Sequence, residues 1–147
     1  MTQTPNPSFR SGPNATRGGL DITISLTPGE AEALDIEYAT LADWFDTALW
    51  GLALLRNGYS DRGGQGSEDV TTEALYTVIK DLDHRLLPRL QGLRDAAVRR
   101  HQELGGSIGE LAAAMDVPKS TAQSRRNVVA NRAPATWERW ATKPTRH

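Results

Sequence analysis

Side chains able to form directed hydrogen bonds with nucleic acid concentrate between positions 107 and 132 of this sequence. They carry hydroxyl, amide, ammonium or guanidinium groups and comprise Ser107, Lys119, Ser120, Gln123, Ser124, Arg126, Asn127 and Arg132. Arg, Asn and Gln can each make two hydrogen bonds to one base edge in a major groove. Lys and Ser are typical ligands of the phosphate backbone. The composition of this stretch therefore indicates recognition of a polyanion.

Catalytic chemistry finds little support in the sequence. The histidines are His84, His101 and His147, and no H-x-x-x-H or H-E-x-x-H pair occurs. No serine is flanked as in a nucleophile elbow. There is no cysteine, which excludes disulfides and thiolate metal sites. We expect no catalytic residue, no metal site and no cofactor.

Two short helices are predicted to carry the polar cluster. Ser107, three residues before Glu110, predicts a capped helix start, and apolar residues follow at helical spacing. The sequence Asp116-Val117-Pro118 should end this helix and begin another over residues 119–130. In the second helix we expect Ala122, Val128 and Val129 to point inward and Lys119, Ser120, Gln123, Arg126 and Asn127 to point outward.

Residues 107–129 resemble a bacterial helix-turn-helix. The resemblance rests on Ala112 in the first helix, on Asp116-Val117 at the turn and on Ser120-Thr121-Ala122 at the start of the second helix. It implies that the second helix enters the major groove of double-stranded DNA. Lys119, Gln123, Arg126 and Asn127 would then contact bases or inner phosphates. Ser107, Ser120, Ser124 and Arg132 would contact outer phosphates.

Two positions depart from the pattern of that family. Asp116 occupies a position where Gly is common, and Asp tolerates the left-handed conformation that the turn requires. Arg125 occupies a position that is usually apolar, so we expect its side chain to extend along its aliphatic stem or to pair with a carboxylate.

Charge is distributed unevenly along the chain. The net charge is −1, but residues 1–67 carry 4 Lys and Arg against 8 Asp and Glu, a balance of −4. Residues 117–147 carry 7 Lys and Arg against Glu138 alone, a balance of +6. A basic module on an acidic remainder favours attraction to phosphate at one end of the molecule.

The N-terminal half is predicted to be largely helical. Residues 1–20 are rich in Pro, Asn, Ser, Thr and Gly, so we expect a disordered tail. Residues 21–26 alternate polar and apolar side chains and predict a short strand that needs a partner. A helix follows from the T-P-G-E sequence at 27–30 to residue 56. Apolar residues from Leu34 through Ala48 to Leu55 follow a 4,3,4,3 spacing, which predicts a dimerisation seam made of Leu34, Tyr38, Leu41, Phe45 and Leu52.

A second apolar stripe continues over residues 68–104. Pro88 interrupts it, which predicts one helix to about Leu87 and another from Pro88 to Leu104. The expected fold is thus all-α, with a helical hairpin for dimerisation over residues 21–87. A helix-turn-helix unit with a short C-terminal helix follows over residues 88–147.

These observations predict a cytoplasmic homodimer that binds double-stranded DNA as a transcriptional regulator. No apolar run approaches the length of a membrane span, so we expect no membrane partner. Three alternatives stay open: a helical adaptor that binds protein, a regulator whose aromatic-rich helix 28–56 binds an unknown small effector, and a ribbon-helix-helix repressor beginning at the strand.

Overall fold

The computed structural model describes residues 6–63 and 66–143, and these residues are mostly helical. They divide into two compact units, residues 6–38 and residues 39–143. The helices are α1 (Pro28–Leu34), α2 (Glu37–Asn57), α3 (Thr72–Lys80), α4 (Leu87–Glu103), α5 (Ile108–Met115), α6 (Lys119–Ala130) and α7 (Thr136–Thr142). Over the described ranges, no helix combines the length and the apolar character needed to cross a bilayer.

The first unit contains an antiparallel hairpin of β1 (Ser8–Ser11) and β2 (Leu20–Thr23). The predicted strand at 21–26 is therefore shorter and begins one residue earlier, and its partner lies within the same chain. This hairpin replaces the disordered tail predicted for residues 1–20 wherever that segment is described; residues 1–5 lie outside the described residues. The composition predicted disorder because this segment is polar. In the structure, the Asp21 carboxylate closes the loop between β1 and β2 by accepting hydrogen bonds from the backbone N–H and the hydroxyl of Thr16.

The single helix predicted over residues 28–56 is divided into α1 and α2. Thr27 and Glu30 form the expected capping box, each side chain bonding the other's backbone N–H. Asp35 then adopts a positive φ of 52° and ends α1. The apolar spacing did not reveal this break, because it continues unchanged across Asp35. The predicted end at Asn57-Gly58 is confirmed, with Gly58 at φ 78°.

Three residues of different kinds form the buried face of α2. Thr47, Gly51 and Leu54 are buried, and the methyl groups of Val78 on α3 occupy the space where a Gly51 side chain would lie. The Thr47 hydroxyl donates to Asp81 Oδ2 over 2.8 Å. Absence of a side chain at Gly51 therefore allows α2 and α3 to approach closely.

A bidentate ion pair holds the connection after α2. Both terminal nitrogens of Arg62 donate to the Asp46 carboxylate, over 2.7 and 2.8 Å, and the guanidinium lies 5.8 Å from the Trp50 ring centroid. The hydrogen bond to Asp46 raises the pKa of the Arg62 guanidinium. Strands β3 (Tyr59–Ser60) and β4 (Glu68–Asp69) pair across this connection.

The break predicted at Pro88 is instead a π-helical segment, Asp81–Leu86, that joins α3 to α4. The N–H of Leu87 bonds the carbonyl of Leu82, five residues earlier. Pro88 lacks an N–H and cannot donate to the carbonyl four residues before it. The wider π turn accommodates the missing donor, so that the helical backbone continues through Pro88. Gly105, at φ 75°, follows the end of α4 as predicted.

Helix α4 is central to the second unit, and its most extensive packing is against α7. Gly92 lies directly against Trp137, so that a β-carbon at Gly92 would overlap Trp137 Cβ and its carbonyl. The Arg89 guanidinium lies 4.1 Å from the Trp137 ring centroid and 4.4 Å from that of Trp44 on α2. Trp140 completes the cluster edge-to-face with Trp137, at 6.1 Å. The tryptophans of α7 thus gather with Trp44 of α2 around the Arg89 guanidinium of α4.

We predict that Gly92→Ala destabilises the protein by about 1–3 kcal/mol, because the added methyl group must displace α7 backbone. Urea unfolding followed by tryptophan fluorescence measures the change. Gly63→Ala is the matched control, since a β-carbon there meets no atom within 4 Å. Equal stability of the two variants would contradict the close α4–α7 contact.

Candidate nucleic-acid interface

Helices α5 and α6 form a tight pair, and the local sequence explains both of its ends. The Ser107 hydroxyl accepts a hydrogen bond from the Glu110 N–H over 3.1 Å and caps α5. Asp116 ends α5 in the left-handed conformation, at φ 54° and ψ 51°. Between the helices, Leu111 and Ala112 pack on Ala122, whose exposed fraction is 0%. The small residue at each contact position permits the close crossing.

One side of α6 is polar and open to solvent. Its exposed side chains are Lys119, Ser120, Gln123, Ser124 and Asn127. Gln123 Nε2 donates to Asn127 Oδ1 over 2.9 Å, which aligns the two amides one turn apart. Among the described residues, Lys119, Ser120 and Ser124 use no side-chain atom in a hydrogen bond. This side therefore presents donors and acceptors that an external ligand can use without breaking internal contacts.

Arg126 does not share this exposed face, contrary to the sequence-based expectation. Its side chain is half-buried and Nη1 donates to the Gly106 carbonyl over 2.9 Å. Nε is buried with no partner in the described structure. Arg126 thus ties α6 to the turn before α5, because position 126 lies only 40° around the helix from buried Ala122.

Two neighbours of Arg126 also differ from expectation. Val128 was predicted to point inward, but its exposed fraction is 61%. Arg125 is itself exposed, so it needs neither an apolar path nor a carboxylate to reach water. Both side chains lie on the flank of α6 that faces away from its polar side.

Ser107 and Arg132 already have partners within the chain. Ser107 is engaged as the cap of α5. Arg132 Nη2 lies 2.9 Å from Asp95 Oδ2 and 3.7 Å from Glu138 Oε2. A phosphate contact at either position would compete with these interactions.

Glu138 anchors the connection between α6 and α7, a role that the sequence did not reveal. Its exposed fraction is 1%. Its carboxylate accepts from the Ala135 N–H and pairs with Arg99 Nη2 at 3.4 Å and with Arg132. The sequence predicted a short C-terminal helix, but only the fold brings Arg99, 39 residues away, to this carboxylate.

The predicted dimerisation seam lies largely on the surface of the single chain. Phe45 and Leu52 are 46% and 48% exposed, and Tyr38 is exposed too, whereas Leu34 and Leu41 are half-buried. The buried residues Thr47 and Leu54 lie on the opposite side of α2. The apolar seam thus points away from the interior of its own chain.

Comparison of the chain with models of protein families, with curated proteins and with solved structures finds no match. Within the described ranges, no group of three acidic or histidine side chains is arranged to hold a metal ion.

We predict that Glu138→Ala lowers the free energy of unfolding by about 3 kcal/mol, since it removes the buried countercharge of Arg99 and the acceptor of the Ala135 N–H. Chemical denaturation measures this loss. Glu103→Ala removes a carboxylate from an exposed pair with Arg100 and should cost less than about 1 kcal/mol. Similar losses for the two variants would contradict the anchoring role of Glu138.

Proposed function

We propose that this protein is a cytoplasmic DNA-binding regulator that acts as a homodimer. Helix α6 enters the major groove of double-stranded DNA, and the polar side of α6 provides the contacts. The observation that carries this proposal is the short α5–α6 pair, held by Ala112 and Ala122, which leaves that polar side open. Helix pairs of this kind project their second helix far enough to reach base edges.

The side chains of α6 divide between two roles in this proposal. Gln123 and Asn127 are aligned to contact base edges, for which paired amide groups are suited. Lys119, Ser120 and Ser124 contact phosphates near the start of the helix. Arg126 stabilises the α5–α6 pair through the Gly106 carbonyl. Arg132 stabilises the connection after α6 through Asp95 and Glu138. Sequence discrimination therefore rests on the two amides.

The exposed apolar seam supports association of two copies. Phe45, Leu49 and Leu52 recur at i, i+4 and i+7 on one side of α2, and all three are exposed. A contiguous apolar stripe of this kind is typical of an interaction surface. A two-fold dimer through α2 would present two α6 helices to a palindromic site.

The same apolar seam also favours a second candidate function, that of an adaptor that binds another protein without DNA. The two functions differ in one measurement, because binding through phosphates weakens steeply with salt. Titration of a random-sequence duplex at two salt concentrations, with light scattering on the same sample, separates them. Salt-dependent binding by a dimer supports the regulator, whereas a folded protein that ignores DNA at low salt supports the adaptor.

We predict that Lys119→Ala reduces the slope of log affinity against log salt by about 1, since one phosphate contact is lost. Fluorescence anisotropy at four salt concentrations measures the slope. Arg100→Ala is the control, because it removes one exposed positive charge on α4, away from α6. If both variants change the slope equally, the effect belongs to net charge and not to the polar side of α6.

We predict that Phe45→Asp converts the dimer to a monomer, because association would bury an unpaired charge. Sedimentation velocity gives the oligomeric state, and circular dichroism confirms that the helices are retained. Leu104→Asp places the same charge at an apolar residue that is 70% exposed at the end of α4. It should leave the dimer intact. A wild-type sedimentation profile for Phe45→Asp would exclude this seam.

A further inference from the structure

A groove lies where α4, α5 and α6 meet, on the flank of α6 away from its polar side. Its volume is about 620 Å³. Small-molecule sites in proteins commonly enclose about 300–1,000 Å³. The groove is thus large enough for a small organic ligand, and it belongs entirely to the second unit of the chain.

The groove has an apolar floor contributed by three helices. Val98 of α4 and Val129 of α6 are buried beneath it, and Met115 of α5 is half-buried. Val128 lies at the edge with 61% of its surface exposed. A bound hydrocarbon would remove these groups from water, and a flexible methionine adapts to ligands of differing shape.

The edge of the groove carries more positive than negative charge. Asp95 accepts from Arg94 at Oδ1, over 3.0 and 3.1 Å, and from Arg132 at Oδ2 over 2.9 Å. One carboxylate thus serves two guanidiniums. Arg125, on the same edge, makes no hydrogen bond or ion pair within the described residues.

The excess of positive over negative side chains favours a ligand that carries negative charge. Three guanidiniums, those of Arg94, Arg125 and Arg132, stand against the single carboxylate of Asp95, a formal excess of two positive charges in the groove lining. A carboxylate above the apolar floor would accept two hydrogen bonds from Arg125 in the geometry that guanidinium favours. A neutral hydrocarbon would leave that guanidinium without a partner.

We propose that this groove binds an amphiphilic monoanion, namely a carboxylate with an unbranched or aromatic apolar body. The apolar body lies on Val98, Met115 and Val128, and the carboxylate pairs with Arg125. Binding here does not require DNA binding, because Arg125 and Val129 occupy a different side of α6 from Gln123 and Asn127, and Arg132 follows the end of that helix. Its test therefore uses no DNA.

The experiment titrates sodium decanoate, below its aggregation concentration, into the full chain by isothermal titration calorimetry. Arg125→Gln should weaken binding about tenfold, because one charge-assisted contact is lost. Arg100→Gln is the matched control and should bind decanoate as wild type does. The neutral analogue 1-decanol should bind the wild-type chain about tenfold more weakly than decanoate.

Methyl NMR on the same samples locates the ligand. Decanoate should shift the methyl resonances of Val98, Met115, Val128 and Val129 in a saturable manner. We expect the Arg125→Gln variant to retain the fold, because the Arg125 side chain is exposed and unpartnered among the described residues. The methyl spectrum of the variant without ligand checks this.

Four results would overturn the proposal. The first is that millimolar decanoate produces neither heat of binding nor changes in methyl chemical shift, and the second is that the shift changes are confined to Leu49 and Leu52 on the exposed apolar side of α2. The third is that Arg125→Gln and Arg100→Gln weaken decanoate binding equally. The fourth is that decanoate and decanol bind with equal affinity. The second result would assign the ligand to the apolar seam, and the last two would reduce the interaction to general charge or general hydrophobicity.

Discussion

The close packing of α4 on α7 at Gly92 is the constraint on which the second unit depends. Without a side chain at Gly92, the backbone of Trp137 approaches α4 directly. That approach sets Arg89 against the rings of Trp44 and Trp137, which links α2 to the C-terminal helix. It also buries Glu138, whose carboxylate fixes Arg99 and Arg132. Helix α4, which precedes the α5–α6 pair, and helix α7, which follows that pair, are therefore held together.

Small residues play the same part at the other helix contacts. The absence of a side chain at Gly51 leaves space on α2 for Val78 of α3. Ala112 and Ala122 allow α5 and α6 to pack closely. Phe45, Leu49 and Leu52 lie outside because they project from the side of α2 opposite the buried residues Thr47, Gly51 and Leu54. These exposed apolar side chains provide the surface for the proposed second copy.

Helix α6 serves three purposes on three sides. Ala122 and Val129 face the interior and Arg126 holds the turn at Gly106. Gln123 and Asn127 lie on the polar side that the proposed DNA contact uses. Arg125 and Val128 border the groove, where positive charge exceeds negative charge above an apolar floor. The helical repeat thus places the proposed DNA contact and the proposed anion groove on different residues of α6.

The sequence alone determined those features that depend on neighbours within about one helical turn. Caps at Thr27 and Ser107, ends at Gly58 and Gly105 and the left-handed turn at Asp116 all follow from local hydrogen bonds and allowed backbone angles. Tertiary structure decided what depends on distant partners. The buried side of α2 follows from Gly51 and Val78, the orientation of Arg126 from Gly106, and the burial of Glu138 from Arg99. Periodicity shows that a helix has an apolar stripe, but only packing decides whether that stripe faces its own chain or another molecule.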